Sequence, residues 1–390
     1  MRQKTGNVLF FTGLTIELLI LLVDKSALTN PVEGRLFQLT FLIFAVKVCM
    51  TRYTVKEWAI IALFEILGVI SYLVTGRNEI IRIVTMIAAC RDTGERAIFS
   101  YMFKVVLTGC LLIISLSVSG VLGAVKLTGI FRGDVEETRY CLGMGHPNSL
   151  HCMFFMLVLL FLYLYGKKIR WYGYIPLFLL NFGVFFLTGS KTGMMVTAFA
   201  VAAALVLACS ERLRREKFIY GISAFLLMCC AAVAWLAAAL SERILFHEGI
   251  RKFDRLLSDR IFNLYYDSAS HAGTLPTWRW LGVPENEYYF DLGWVRLFYW
   301  YGILPACVFI LVLLLLIREL YREKEYMGIV LLSSLFIYTL VEAHIVSVYL
   351  ARDYSLFMIG ARFGPMFGAD KGKKGYFFQA PAMLLRGGVS

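Results

Sequence analysis

The sequence predicts an all-α integral membrane protein, a polytopic bundle of about twelve transmembrane helices. Of its 390 residues, 59% are hydrophobic and only 17% are charged, and the mean hydropathy is +0.70. Many apolar runs approach the ~20 residues that a helix needs to cross a ~30 Å hydrocarbon layer. These runs are apolar on all faces, whereas barrel strands alternate apolar and polar residues. We therefore expect one transmembrane domain over residues 1–363 and a basic cytoplasmic tail over 364–390.

Positive charge orders the predicted spans across the membrane. The spans are 8–23, 36–50, 57–75, 79–90, 98–119, 149–166, 171–188, 193–209, 218–240, 293–317, 327–345 and 347–363. With the N-terminus inside, the inner segments carry 21 Lys and Arg and the short outer loops carry seven, as the positive-inside rule requires. Both termini are therefore predicted to be cytoplasmic, and the net charge of +12 is expected to face anionic lipid and not nucleic acid.

Cysteines and short motifs predict neither a disulfide framework nor a cofactor. The nine cysteines show no CxxC pair and lie mostly within spans, which is typical of small apolar packing residues. No Walker loop, dinucleotide motif, HExxH helix or serine elbow is present. We therefore expect no cofactor and no metal.

The first candidate site is the segment from Arg139 to Asn148, just before the sixth span. Its glycines and Pro147 predict a tight turn, and Asn148 is a candidate N-cap for the following helix. There His146 would lie at the membrane mouth, where it could transfer a proton. Arg139 could bind a phosphate with two parallel hydrogen bonds. The alternative is a capping turn with an ordinary exposed arginine and histidine.

The second candidate site is the short turn 189–193, in which Lys191 is the only charged residue. The glycines at both ends allow a sharp reversal between two helices. Lys191 would then project into the outer interface and could bind an anion. The alternative is that its side chain extends to lipid headgroups.

A polar stretch of 51 residues, 241–291, is the longest outer loop. It predicts an amphipathic helix on the membrane surface, because apolar residues recur at helical spacing. These residues are Phe246, Ile250, Phe253, Leu257, Ile261 and Leu264. Arg260 falls on the same stripe, where a cation must pair, reach water or bind an anion. Tryptophan and tyrosine near the loop end are typical of a membrane interface, although the same rings could stack on sugars.

Two carboxylates complete the set of candidates. Asp291 lies at the end of the loop, where it could act as an acid–base group or pair with an arginine. Glu342 lies near the outer end of the eleventh span, close to His344. Charges inside spans are costly and tend to be functional. Glu342 is therefore the strongest candidate among the charges within spans.

Three short motifs, in this order along the chain, resemble those of the Wzy-type polysaccharide polymerases and O-antigen ligases. They are Arg139 with Gly145-His146-Pro147-Asn148, the turn Leu187-Thr188-Gly189-Ser190-Lys191-Thr192-Gly193, and Arg260 followed by Leu281-Gly282, Asp291 and Tyr301-Gly302. The resemblance covers about residues 135–345 and includes the long outer loop. The family turn commonly has arginine where this chain has Lys191, which keeps the charge but loses the guanidinium fork.

This resemblance implies a fold like that of the C-type glycosyltransferases and a substrate carried on undecaprenyl diphosphate. It implies a bacterial plasma-membrane enzyme whose active site faces the extracytoplasmic side and which assembles capsule, exopolysaccharide or O-antigen. Arg139 and Arg260 match the arginines that would bind the diphosphate, and His146 matches the histidine of the family turn. On chemical grounds Lys191 could add a third cation for the diphosphate, and the acceptor hydroxyl would need a base, for which His146, Asp291 and Glu342 are the candidates. Its partners would be membrane lipid and polysaccharide-assembly proteins such as a flippase or a chain-length regulator.

Two other functions remain open at this stage. A ligase would move the finished chain to a different acceptor, and its motifs would look much the same. A flippase for the same lipid would also fit twelve spans. Transporters, however, tend to show repeated halves and a midplane site. This sequence shows no repeat, and its candidate charges collect near the outer mouth.

Overall fold

The architecture is a helical bundle to which a short β-hairpin is attached. The computed structural model describes residues 2–132, 135–256, 259–267, 270–284, 288, 291–345 and 347–367. Up to the hairpin the helices are α1 (Arg2–Asp24), α2 (Glu33–Met50), α3 (Val55–Thr75), α4 (Glu79–Ala89) and α5 (Glu95–Val118). The hairpin is β1 (Lys126–Arg132) and β2 (Val135–Tyr140).

The remaining helices follow the hairpin. They are α6 (Pro147–Tyr165), α7 (Tyr174–Thr188), α8 (Lys191–Cys209), α9 (Glu211–Arg215), α10 (Lys217–Leu240), α11 (Glu248–Leu256), α12 (Arg260–Tyr266), α13 (Gly293–Arg296), α14 (Ile303–Glu323), α15 (Tyr326–Val341), α16 (Tyr354–Ala361) and α17 (Phe363–Met366). The predominance of helix confirms the predicted all-α class.

Eight helices in the described part of the chain are long and apolar enough to cross a membrane. They are α1, α3, α5, α6, α7, α8, α10 and α14. Many of their large apolar side chains, such as Leu73 and Phe186, face outward, as the surface of a membrane protein requires. The chain is therefore a helical membrane protein.

The predicted count of twelve spans is not confirmed. Helix α4 has 11 residues and α15 has 16, which is shorter than a full crossing. The predicted span 293–317 begins later, because α13 and a π-helical turn at Leu297–Tyr301 precede α14.

The predicted span 347–363 is not one continuous helix. It is divided into a 3-10 turn at Leu350–Arg352 and the short helices α16 and α17. The break comes at Asp353, whose carboxylate accepts the backbone N–H of Ser355 at 2.9 Å and so starts α16.

Helix α15 forms the centre of the bundle. It packs against α6, α8, α10 and α14, and Leu332, Leu335 and Phe336 are fully buried. It ends at Val341, so Glu342 lies at the centre of one end of the bundle. We call this the site end.

The hairpin was not predicted from the sequence. Strands β1 and β2 pair antiparallel, with Leu127 opposite Arg139. The loop that follows packs against the α1–α2 connection, where the backbone N–H of Ala27 donates to Gly143 O at 2.9 Å. Gly145, with φ 58°, lies so close that an added Cβ would be 2.9 Å from Ser26 O. The hairpin and the start of α6 are thereby held at the site end.

The amphipathic segment is not one continuous helix. It divides into α11 and α12, and Asp259 between them has a left-handed φ of 58°. Ile261 and Leu264 are buried as the stripe predicted, but Phe246 is 82% exposed. Leu257 lies outside the described residues, as does most of the predicted tail 364–390, from residue 368 onward.

Candidate functional site

Arg260 is held in place by the way α12 begins. The buried carboxylate of Asp254 accepts the backbone N–H groups of Ile261 at 2.8 Å and Phe262 at 2.9 Å. This replaces the missing intrahelical partners of the first turn. The buried Ile261 and Leu264 side chains then fix the rotation of α12, which packs on α10. Arg260, the first residue of α12, is thereby held over the end of α15.

Asp291 is positioned by the anchoring of α13 against α15. The indole N–H of Trp294 donates to Phe336 O at 2.9 Å, and Trp294 is 1% exposed. Gly293 approaches so closely that an added Cβ would lie 2.7 Å from the Thr339 methyl group and 2.9 Å from Glu342 O. A larger residue at Gly293 would push the loop end, and Asp291 with it, away from Glu342.

The structure brings three sequence-predicted residues together at the site end. Arg260 donates from Nη2 to Glu342 Oε1 at 2.9 Å and from Nε to Asp291 Oδ2 at 3.4 Å. The side chains of Arg260, Glu342 and Asp291 are 11%, 18% and 41% exposed. We call these three residues the Arg260 cluster.

Arg260 keeps donors available for a further anion. A guanidinium has five N–H donors, of which two are used by the carboxylates. The remaining three, two on Nη1 and one on Nη2, have no acceptor among the described residues. The cluster can therefore bind an anionic oxygen without first losing its own ion pairs.

Glu342 lies between opposing electrostatic influences. It follows the last residue of α15, and burial raises its pKa above the ordinary carboxyl value, as does the negative charge of Asp291. Arg260, Arg352 and Lys25 act in the opposite direction. A carboxylate with a raised pKa is a better proton acceptor near neutral pH than an ordinary one.

A buried hydrogen-bond network holds the segment that follows Glu342 in place. Arg352 donates from Nε to His344 Nδ1 at 3.1 Å and from Nη1 to Ala343 O at 3.3 Å. Because arginine can only donate, Nδ1 of His344 must accept, so the imidazole is neutral and carries its proton on Nε2. Arg352 is thus a fixed buried cation beside Glu342, and it is 6% exposed.

Sequence reasoning did not select Arg352 or Lys25 for the site. Arg352 is a charge within the predicted span 347–363, which is a signal for function, but nothing local in the sequence links it to Glu342. Lys25 follows α1 and pairs with Asp24 at 2.6 Å. Its effect on Glu342 depends on how α1 packs in the bundle, for which the sequence carries no signal.

His146, and not Asn148, is the N-cap of α6. The His146 ring accepts the backbone N–H of Asn148 at Nδ1, at 3.1 Å. The predicted Asn148 cap is wrong because Pro147 occupies the first helical position, which moves the capping position to the residue before it. With Nδ1 accepting, a neutral His146 carries its proton on Nε2, which is then a hydrogen-bond donor.

The electrostatics of His146 link the hairpin to the Arg260 cluster. Desolvation lowers the pKa of His146 most strongly, and the positive charge of Arg139 lowers it further. Asp291 raises it. His146 is therefore within electrostatic reach of both Arg139 and Asp291, and is expected to be neutral at pH 7.

Arg139, in β2, packs against the turn that precedes α8. Its Nε and Nη2 donate to one oxygen of Glu137 at 2.9 Å and 2.6 Å, and its guanidinium carbon lies 4.5 Å from the Phe131 ring centroid. Gly189, with φ 64°, approaches so closely that an added Cβ would lie 2.8 Å from Arg139 Nε. Any side chain at Gly189 would displace Arg139.

Lys191 begins α8 and is exposed. It forms no ion pair with a described residue, so its charge is free to meet a ligand or a headgroup. It lies two residues from Gly189, on which Arg139 rests. Arg139 and Lys191 thus lie at the same turn. Arg139 is linked to Arg260 only indirectly, because His146 is within electrostatic reach of both Arg139 and Asp291, and Asp291 accepts a hydrogen bond from Arg260.

The aromatic residues of the loop end divide into two groups. Trp278 stacks on Phe298 with ring centroids 4.8 Å apart and is 8% exposed, so it is a packing residue. Trp280 is 73% exposed and remains available to lipid or sugar. Gly282 and Gly302 pack backbone to backbone, with an added Cβ on Gly302 only 2.2 Å from Gly282 N. The contact ties the loop end to the start of α14.

Among the described residues, no group of three or more His, Cys, Asp or Glu side chains is arranged to hold a metal ion. No protein-family model, no curated protein and no solved structure matches the chain.

Proposed function

We propose that the protein is a membrane glycosyltransferase that polymerises lipid-linked oligosaccharide repeat units. The donor is a sugar chain on a polyprenyl diphosphate, and the acceptor is another lipid-linked unit. The observation that carries this proposal is the Arg260 cluster, a cation with free donors held beside two carboxylates at one end of a membrane bundle. We place this end on the extracytoplasmic side of a bacterial plasma membrane.

The proposed step is a displacement at the anomeric carbon of the donor sugar. The acceptor hydroxyl oxygen forms a bond to that carbon, and the bond from the carbon to the diphosphate oxygen breaks. The diphosphate leaves with the electron pair, and the hydroxyl proton passes to a base. Arg260 would stabilise the departing diphosphate through its three free donors, because fixed cations are most effective where negative charge develops.

Glu342 is the base that the geometry favours among the three candidates. Its pKa is raised by burial and by Asp291, and Arg352 and Lys25 keep an ionised form accessible. His146 is less suited because its Nδ1 lone pair already caps α6. In this proposal His146 donates from Nε2 to the substrate, and Asp291 orients Arg260.

The surface around the turn at Gly189 would bind the side of the diphosphate that does not face Arg260. Arg139 has three N–H donors left after its two bonds to Glu137. Lys191 adds a second cation on the same turn. Together with Arg260 they would neutralise the negative charge of a lipid diphosphate without a metal ion.

The test is a reaction with purified protein and polyprenyl-diphosphate-linked repeat units, without an energy source. A ladder of longer lipid-linked products supports a polymerase. Transfer of the chain only to an added, different acceptor would indicate a ligase. Movement of the lipid across vesicles with no longer product would refute the enzyme proposal in favour of a flippase.

A further inference from the structure

A polar pocket opens at the end of the bundle opposite the Arg260 cluster. It has a volume of about 440 Å³ and lies where α1 begins and where α2 and α4 end. This volume is within the range of small-ligand pockets, about 300–1000 Å³. Three of its lining residues are cations, Lys47, Arg52 and Arg91, and one is an acid, Asp92.

Lys47 is buried and keeps one donor in reserve. It is 4% exposed, and its Nζ donates to Thr51 Oγ1 at 2.7 Å and to Arg91 O at 3.0 Å. An ammonium group has three donors, and the third has no partner among the described residues. Gly6 of α1 allows this placement, since an added Cβ would lie 3.2 Å from Lys47 Cδ.

The charges around the pocket leave a positive balance. Arg91 forms one ion pair with Glu57, which does not line the pocket, and a second with Asp92 at 3.4 Å. Arg52 is exposed and forms no ion pair with a described residue. Lys47 likewise forms no ion pair in the described part of the chain. Asp92 also acts electrostatically on Lys47, so the three cations Lys47, Arg52 and Arg91 set against the two acids Asp92 and Glu57 leave a net charge of +1 around the pocket.

We propose that this pocket binds a phosphate group, with Lys47 and Arg52 as its cationic ligands. Arginine and lysine are the usual phosphate-binding side chains, and basic pockets between membrane helices bind anionic lipid headgroups. The phosphate could come from an anionic phospholipid or from a soluble anion. The pocket adjoins the outward apolar surface of α2, where Leu39, Leu42 and Val46 are exposed, which places a lipid headgroup within reach.

The pocket is separate from the proposed catalytic site. Gly6 lines the pocket and Lys25, which acts on Glu342, follows α1. The helical rise of 1.5 Å per residue puts Gly6 about 27 Å from Asp24, the last residue of α1. The phosphate proposal therefore stands or falls independently of the glycosyltransferase proposal.

The test is a titration of the purified full-length protein in detergent with three probes. These are dioctanoyl phosphatidylglycerol, dioctanoyl phosphatidylcholine and inorganic phosphate, with the dissociation constant measured by the shift in unfolding temperature. We expect saturable binding of phosphatidylglycerol and weaker binding of phosphatidylcholine. Arg52→Gln should weaken phosphatidylglycerol binding about fivefold, which corresponds to about 1 kcal/mol for one cation.

Arg170→Gln is the matched control, because Arg170 is also exposed but does not line the pocket. It should leave the dissociation constant unchanged, and Lys47→Gln should weaken binding at least as much as Arg52→Gln. Inorganic phosphate that binds as tightly and is equally sensitive to Arg52→Gln would support the phosphate site and assign it to a soluble anion. Equal binding of both lipids, or equal effects of the Arg52 and Arg170 variants, would overturn the proposal.

Discussion

Replacing Arg260 with alanine tests the candidate site most directly. The substitution removes the three free donors proposed for the diphosphate and both ion pairs of the Arg260 cluster. If two of the donors bind the leaving group, each charge-assisted bond contributes about 1.5–3 kcal/mol. The barrier would then rise by about 3–6 kcal/mol, which lowers the rate by roughly 10²–10⁴-fold.

The assay is the initial rate of product-ladder formation with purified protein and lipid-linked repeat units. Arg255→Ala is the matched control, because Arg255 lies in α11 of the same loop, is exposed and forms no ion pair with a described residue. Arg260→Lys should retain part of the activity, since it keeps the charge and loses the fork that joins Glu342 and Asp291.

Loss of folding is a separate explanation that the experiment must exclude. Removing Arg260 leaves the Asp291 and Glu342 carboxylates facing each other, so a double variant Arg260→Ala/Asp291→Asn relieves their repulsion and keeps the proposed base. If this double variant is as stable as the wild type and still inactive, the loss is catalytic. A rate for Arg260→Ala within about twofold of the Arg255→Ala rate, far short of the loss expected from the lost charge-assisted bonds, would remove Arg260 from the mechanism.

Substitutions at three further residues probe the rest of the site. Because burial and Asp291 raise the pKa of Glu342 above 4.5 and only the ionised form accepts a proton, the wild-type rate should fall as pH drops through that raised value. Glu342→Gln should lower the rate by roughly 10²–10⁴-fold and abolish this acid limb, as initial rates from about pH 4 to pH 8 will show. Lys191→Arg should be active and Lys191→Ala should not; equal product ladders from both would mean that Lys191 only reaches lipid. His146→Ala should cost about 1 kcal/mol in thermal unfolding through the lost α6 cap, whereas His146→Asn should keep that stability but not the activity.

The residues of the Arg260 cluster were each identifiable from the sequence by a different signal. Arg260 was a cation on an apolar stripe, Asp291 an acid at the end of the long loop, and Glu342 a charge near the end of a span. That they would meet was not predictable, because the two contacts join residues 31 and 82 positions apart. Their catalytic roles remain predictions.

Other features were missed for identifiable physical reasons. The segments that form β1 and β2 alternate only weakly between apolar and polar residues, so the Gly133-Asp134 pair between them, a hairpin-turn signal in the sequence, was interpreted as part of a loop. The His146 cap was missed because asparagine is the commoner capping residue. The division between α11 and α12 depends on the Asp254 carboxylate reaching residues seven and eight positions ahead, a contact outside the spacing of a regular helix.

The sequence by itself determined that this is a helical membrane protein, because the length and apolarity of its segments leave no other solvent in which they could be stable. The sequence also identified the charged residues within or beside the spans, whose burial costs so much free energy that a functional role is expected. Only the tertiary structure decided which of those charges face one another and which cap a helix, and it alone revealed that Lys25 and Arg352 act on Glu342. Such pairings depend on distances across the packed bundle, and local hydrophobicity carries no information about them.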